Sequence, residues 1–118
     1  MTPINLTILV RKVGARAAVL DVQGDINAQA ETVLMNAYAE AVDGGGSMII
    51  INFSGLDYMN SSGIGLLVTL LIRIQRQKQR LLAYGLSDHY RQIFELTRLN
   101  EAIGIFADEA DALAEGRK

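Results

Sequence analysis

A nearly uninterrupted apolar run, MIIINF at residues 48–53, restricts the fold of this chain more than any other segment. The run is short and contains three successive β-branched residues, Ile49–Ile51, so it is typical of a strand that is buried on both faces. Strands of this kind lie inside parallel sheets whose faces are covered by helices. The run therefore indicates an α/β fold.

The segments on either side of this run alternate between the periodicities of helix and strand. The first predicted elements are two strands, at 5–10 and 17–23, joined by a turn at Gly14. A helix follows, which Asp25 or Asn27 caps and which ends at Gly44–Gly46. The remaining elements alternate: a strand at 48–53, a helix at 62–79, a strand at 81–85, a helix from Ser87 to near Asn100, a strand at 103–106 and a helix at 108–114. The predicted fold is a single α/β domain over residues 1–118. Its mixed sheet has about five strands, an N-terminal hairpin followed by alternating helices and strands, and about four helices cover it.

Composition and charge argue against several classes of protein. Half of the 118 residues are hydrophobic and 20% are charged, which is typical of a globular chain. The formal net charge of −2 and the pI of about 5.3 provide no basic surface for nucleic acid. The absence of cysteine excludes disulfides and thiolate sites, and fits a reducing compartment.

The sequence also predicts a soluble, cytoplasmic protein that does not insert into a membrane. Residues 1–14 lack the pattern of an export signal. The longest apolar run, residues 64–72, is far shorter than a membrane span. Partners are expected to be proteins or small molecules.

The common enzyme signatures are missing, so we expect no enzyme, no cofactor and no metal site. The only histidine, His89, begins a helix, where a solvent-exposed or capping role is favoured over catalysis. Gly63 and Gly65 lack the companion residues of a dinucleotide turn or a P-loop. We interpret both glycines as packing residues that let a helix approach the sheet.

Polar side chains follow the buried strand at the point where the next helix begins. Asn60, Ser61 and Ser62 are all favoured N-cap residues, and any of them is a candidate cap. The amino end of a helix also favours an anion, so a phosphate on Ser61 would be tolerated there. Both interpretations stay open at this stage, and nucleotide binding at the same helix end is a more remote alternative.

The stretch from Ile49 to Leu71 resembles the central signature of STAS domains, the family of the anti-sigma-factor antagonists. In that signature an apolar strand is followed by Asp, then by Asp-Ser-Ser/Thr-Gly-Leu-Gly and an apolar helix. The likeness extends from Gly24-Asp25 to the segment LTRLNEAIGIF at residues 96–106. Asn60 stands where the family commonly has Asp.

The resemblance implies a binding module controlled by phosphorylation. Its partner would be both an anti-sigma factor and a serine kinase, and Ser61 would be the phosphorylated residue. Unphosphorylated antagonist holds this partner and frees a sigma factor, whereas the phosphorylated form releases it. The residues expected to contact the partner are Asp25, Asp57, Met59, Asn60, Ser62, Gly63 and Ile64. The alternative is a non-switching scaffold subunit of an ABC-type transporter complex or a stress-signalling assembly, in which Ser61 only caps its helix.

The helix after Ser61 carries two apolar stripes. The first stripe consists of Ile64, Leu67, Val68 and Leu71, and the second of Leu66, Leu70 and Ile74. The second stripe is either core or a contact patch for a partner or a homodimer. Basic side chains gather at the end of the helix, namely Arg73, Arg76, Lys78 and Arg80. We interpret them as complementing the helix dipole, with an acidic partner as the alternative.

Overall fold

A computed structural model describes residues 4–116, so the two ends of the predicted domain, 1–3 and 117–118, lie outside the described residues. In chain order, the elements are β1 (Leu6–Lys12), β2 (Ala17–Ile26), a 3₁₀ turn (Ala28–Ala30), α1 (Glu31–Val42), β3 (Met48–Met59), α2 (Ser61–Arg76), β4 (Arg80–Tyr84), α3 (Asp88–Leu96), a second 3₁₀ turn (Leu99–Glu101), β5 (Gly104–Phe106) and α4 (Glu109–Gly116). The predicted α/β class, with five strands and four helices within the described range, is confirmed. None of these helices is long and apolar enough to cross a membrane.

The five strands form one sheet in the order β1-β2-β3-β4-β5. Strand β1 runs antiparallel to β2, which confirms the predicted hairpin, and the other neighbours are parallel. The parallel strands are joined through α1, α2 and α3 in turn. Strand β3 lies at the centre, where Ile51 is opposite Leu20 on one side and Ala83 on the other.

The prediction of a strand buried on both faces is confirmed at Ile49–Ile51. Ile49 and Ile51 belong to the larger core, which is shared with helices α1, α2 and α3. Ile50 points to the opposite face and packs in a smaller core with Ala112 of α4. All three isoleucines are at most 1% exposed because helices cover both faces of β3.

Strands β2 and β3 both extend beyond their predicted ends, and this extension positions the functional site. Strand β3 continues from Phe53 to Met59, and β2 continues to Ile26. Their pairing passes two irregularities and ends with Asp25 opposite Tyr58 and Ile26 opposite Met59. The backbone hydrogen bonds of this pairing override the weak strand propensity of the segment.

The extension of β2 changes the role predicted for Asp25. Asp25 is a strand residue and not a helix cap, and its carboxylate accepts a hydrogen bond of 3.2 Å from the Asn5 amide. Asn27 caps the 3₁₀ turn that precedes α1, because its side-chain oxygen accepts from the Gln29 backbone N–H at 3.0 Å. Helix α1 itself begins after Ala30 without a side-chain cap, so neither predicted residue caps it directly.

Two helices end earlier than predicted, in each case near a residue in the left-handed region. Helix α2 ends at Arg76, and Lys78 follows with φ 57°. Helix α3 ends at Leu96, and Arg98 follows with φ 62°. Both residues have backbone angles that cannot continue a right-handed helix.

A polar network on the second face of the sheet ties α4 to the strands. The Arg11 guanidinium donates to Asp21 at 2.5 Å and to Glu109 at 2.6 Å. The Tyr84 hydroxyl also donates to Glu109, at 2.8 Å, and burial together with this hydrogen bond raises the pKa of Tyr84 to about 12. The hydrogen bonds from Arg11 lower the pKa of both carboxyl groups below their usual range.

Candidate functional site

Strand β3 passes into helix α2 with a single residue, Asn60, between them. The Asn60 backbone N–H donates to the carbonyl oxygen of Ile26 at the end of β2, at 3.3 Å. The preceding N–H, that of Met59, donates to the hydroxyl of Tyr90 on α3 at 2.8 Å. The junction between β3 and α2 is therefore bonded to both β2 and α3.

Asn60 is the N-cap of α2. Its side-chain oxygen accepts a hydrogen bond of 3.0 Å from the Gly63 N–H, and its carbonyl oxygen accepts one of 3.0 Å from Ile64. Of the three capping candidates, the structure selects Asn60, so the interpretation that Ser61 only caps its helix is wrong. The Gly63 N–H, one of the groups that a phosphate would use at this helix end, is therefore already bonded to the Asn60 side chain.

The capping by Asn60 leaves Ser61 and Ser62 free at the surface. Both residues are exposed in the first turn of α2. Neither hydroxyl forms a hydrogen bond with another residue in the range 4–116. Each hydroxyl is thus available to a second molecule.

Gly63 and Gly65 differ in what surrounds them. A Cβ at position 63 would overlap the carbonyl oxygen of Ile26 and lie 2.8 Å from Cγ of Met59, so only glycine lets α2 sit against the end of β2. A Cβ at position 65 would meet nothing within 4 Å. The packing interpretation is correct for Gly63 and wrong for Gly65.

The residues predicted to contact a partner fall into two groups. Asp57 and Ser62 are exposed, and Asp25, Asn60 and Ile64 are half-buried, so these side chains reach the surface near the start of α2.

Met59 and Gly63 are buried and do not reach the surface on which the other five residues lie, so nothing in this structure places them in contact with a partner. Met59 is only 4% exposed because it belongs to the larger core. Met59 lies beneath the first turn of α2, and Gly63 is the residue of that turn that lies against it.

The second apolar stripe of α2 is core. Leu70 and Ile74 are fully buried and Leu66 packs against the larger core, so the interpretation as a partner or homodimer patch is wrong for this stripe. The exposed apolar residues of α2 are instead Val68, at 36%, and Ile72, at 45%. Val68 was predicted to be in the first stripe, whose other members lie in the larger core or, like the half-buried Ile64, pack against it.

Helix α2 has an exposed face that was not predicted, although the spacing of its residues in the sequence could have revealed it. Ser61, Gly65, Val68, Ile72 and Arg76 recur at intervals of three and four and are all exposed; we call them the α2 stripe. Reasoning from the sequence also missed Tyr90, because no local pattern connects it with Met59.

Two of the four basic residues predicted at the end of α2 lie there, whereas Lys78 follows the helix and Arg80 begins β4. Arg73 and Arg76 are in the last turn, beside carbonyl groups that favour positive charge. Neither forms a salt bridge with another residue of the described chain.

The site presents two exposed hydroxyl groups, those of Ser61 and Ser62, and among the described residues the structure places neither a metal-binding cluster nor a hydrogen-bonded histidine beside them. In the part of the chain that the structure describes, no group of three or more His, Cys, Asp or Glu side chains is arranged to hold a metal ion. His89 is exposed at the start of α3, with its ring 4.9 Å from that of Tyr90.

The fold and this junction define a class of protein. The STAS domain model matches residues 9–112, and the chain belongs to the STAS domain family. The resemblance that the motif indicated is thereby confirmed.

One curated relative and two solved structures illustrate the similarity. The anti-sigma-B factor antagonist of Listeria monocytogenes is 32% identical over 60 residues, which cover 51% of this chain and 53% of that protein. The chain therefore spans about half the length of the curated relatives it matches.

Two solved structures share the fold. The anti-sigma factor antagonist from Mycobacterium paratuberculosis superimposes with a TM-score of 0.80 at 20% identity, covering 96% of this chain and 95% of its own. The Bacillus cell fate determinant SpoIIAA in its phosphorylated form gives 0.71 at 23% identity, covering 92% and 98%.

Proposed function

We propose that this STAS domain is an anti-sigma-factor antagonist that regulates transcription as a phosphorylation-controlled partner switch. In its unmodified form it binds an anti-sigma factor that is also a serine kinase, and phosphate on Ser61 releases that partner. The domain is a binding module and the kinase supplies the chemistry. A role beside a sigma factor implies a cytoplasmic protein.

One observation carries this proposal: Asn60 caps α2, so the Ser61 hydroxyl is exposed and free to accept a phosphoryl group. The amide of Asn60 keeps the acceptor that the family's usual Asp would supply, without its charge. A phosphate on Ser61 would lie at the positive end of α2, so the helix tolerates it. The phosphorylated form of the Bacillus protein, which shares this fold, is consistent with such a switch.

Release of the partner follows from charge at the surface. Asp25 and Asp57 already lie on the strands that lead to Ser61, and phosphate would add close to two more negative charges. Bringing this dianion into an interface costs desolvation energy, and each 1.4 kcal/mol weakens binding about tenfold. The surface residues proposed to contact the partner are Asp25, Asp57, Asn60, Ser62 and Ile64.

The test uses the purified chain and each serine-kinase anti-sigma factor encoded in the same genome. Binding is measured by calorimetry with ADP, and phosphorylation by intact mass after addition of ATP. We expect Ser61→Asp to lose binding and Ser61→Ala to bind without being modified. Ser62→Asp and Ser62→Ala are the matched controls, because Ser62 is exposed in the same turn.

Equal binding by Ser61→Asp and Ser61→Ala would contradict the switch. If transporter or stress-assembly subunits were also held equally by both variants, the scaffold function would take its place. Modification of Ser62 in place of Ser61 would contradict the assignment of the phosphorylated residue.

A further inference from the structure

Gly65 occupies a position at which its own chain gives no reason for a glycine. It lies inside the 16-residue helix α2, and it is not among the residues with positive φ. A Cβ at this position would meet nothing within 4 Å, unlike one at Gly63. Glycine is a poorer helix former than alanine, so Gly65 makes α2 less stable than an alanine would. No close packing against the described residues compensates for this loss.

The surroundings of Gly65 point to a partner. Gly65 follows Ser61 by one turn on the α2 stripe, and the exposed apolar side chains of Val68 and Ile72 come next. The stripe ends at Arg76, about 22 Å from Ser61 at 1.5 Å per residue. A glycine between a modifiable hydroxyl and an apolar pair permits a close approach by another main chain.

The charge of α2 narrows the chemistry of that partner. Helix α2 contains no acidic residue, and its last turn carries Arg73 and Arg76. Neither guanidinium is paired with a carboxylate of the described residues. The partner surface that fits this end of the stripe is acidic.

We infer that the kinase which phosphorylates Ser61 lies along the α2 stripe, with its main chain crossing at Gly65, apolar side chains against Val68 and Ile72, and acidic side chains beside Arg76. This inference rests on the proposed function and adds the direction in which the partner lies. The binding surface then runs the length of α2 and is not confined to its first turn.

The first test concerns stability and needs no partner. We expect Gly65→Ala to raise Tm by about 3 °C, because alanine is the better helix former and the added methyl group meets open space. Asn36→Ala, at an exposed position of α1, is the matched control and should raise Tm by a similar amount. A lower Tm for Gly65→Ala would show that the glycine serves the fold, and would overturn the inference.

The second test measures binding of the kinase to the same proteins. We expect Gly65→Ala to bind at least about tenfold more weakly, and Asn36→Ala to bind like wild type. We also expect Arg76→Glu to weaken binding most strongly at low salt, with Arg91→Glu on α3 as the matched charge control. The self-association of each variant is measured by sedimentation without kinase.

The outcomes separate the two proposals. If Gly65→Ala and Arg76→Glu bind like wild type while Ser61→Asp does not, the inference is overturned and the switch stands. If wild type binds none of the serine-kinase anti-sigma factors, the proposed function fails. If the Gly65→Ala substitution changes self-association in the absence of kinase, the stripe contacts a second copy of this chain and the inference is overturned.

Discussion

The hydroxyl of Tyr90 on α3 accepts a hydrogen bond of 2.8 Å from the backbone N–H of Met59, the last residue of β3. The two residues are 8% and 4% exposed, so water has little access to this N–H group. A side chain that lies 31 residues away thus supports the junction where β3 ends and α2 begins.

Tyr90→Phe removes this acceptor and keeps the ring. We expect the free energy of unfolding to fall by about 1–3 kcal/mol, because the Met59 N–H is left buried without a partner. Urea denaturation measures the change. Tyr58→Phe is the control, since Tyr58 is 57% exposed, and it should alter stability by less than about 0.5 kcal/mol. Equal stability of the two variants would contradict a supporting role for Tyr90.

Two substitutions of Asn60 separate the effect of a capping acceptor at this position from the effect of a negative charge. Asn60→Ala should lower the free energy of unfolding by about 1 kcal/mol, because the Gly63 N–H loses its acceptor. Asn60→Asp keeps an acceptor and adds a negative charge at the amino end of α2, so we expect no loss of stability. Thermal unfolding checks both expectations. If Asn60→Ala were as stable as wild type, a neighbouring serine would be able to replace the cap.

The Arg11 network predicts how stability depends on pH. Hydrogen bonds from Arg11 lower the pKa of Asp21 and of Glu109 in the folded state. Their contribution to stability is therefore complete above the unfolded values of about 4, and it is lost as the pH falls through the lower folded values.

Arg11→Gln should reduce this loss of stability on acidification. The Arg11 and Asp21 side chains are 38% and 23% exposed, so we expect solvent screening to limit the pair to about 1 kcal/mol. Urea midpoints at pH 7 and pH 3 provide the measurement. Arg91→Gln is the control for loss of a positive charge at an exposed position. The same acid sensitivity in both variants would contradict the role of the network.

Lys12 links β1 to the carboxyl end of α1. Its ammonium group donates to the carbonyl oxygens of Glu40, Ala41 and Asp43 at 2.9, 2.9 and 3.0 Å. Lys12→Met should cost about 1 kcal/mol, since it removes a cation from the negative end of the helix. Hydrogen exchange should become faster in the last turn of α1, whereas Arg16→Met, at an exposed turn, should leave it unchanged. Unaltered exchange in Lys12→Met would contradict the link.

Much of the fold could be predicted because its signals are local. The apolar run at Ile49–Ile51 identified the central strand, and the alternation of elements around it identified the class of sheet. The end of β3 could not be predicted, because Gly55 and Asp57 are residue types that strands disfavour. Pairing with β2 carries the strand past them to Met59, and such pairing leaves no trace in the local sequence.

The sequence located the polar segment at the start of α2 but did not decide which of its residues caps the helix. Asn60, Ser61 and Ser62 have similar capping propensities, so the sequence leaves the choice open. In the structure Asn60 is the cap, and its backbone N–H is bonded to Ile26, a contact with a residue distant in sequence that no local pattern reveals. The contact of Tyr90 with Met59 could not be predicted either, because it joins segments that are distant in sequence.

The two faces of α2 have different surroundings. Its buried face packs in the larger core, whereas the residues of the α2 stripe are exposed. Substitutions on the stripe are therefore expected to leave folding largely intact. Duplicated copies of such a domain can diverge at these positions and retain a common interior. A change in what the surface binds would then require only a few substitutions and no new fold.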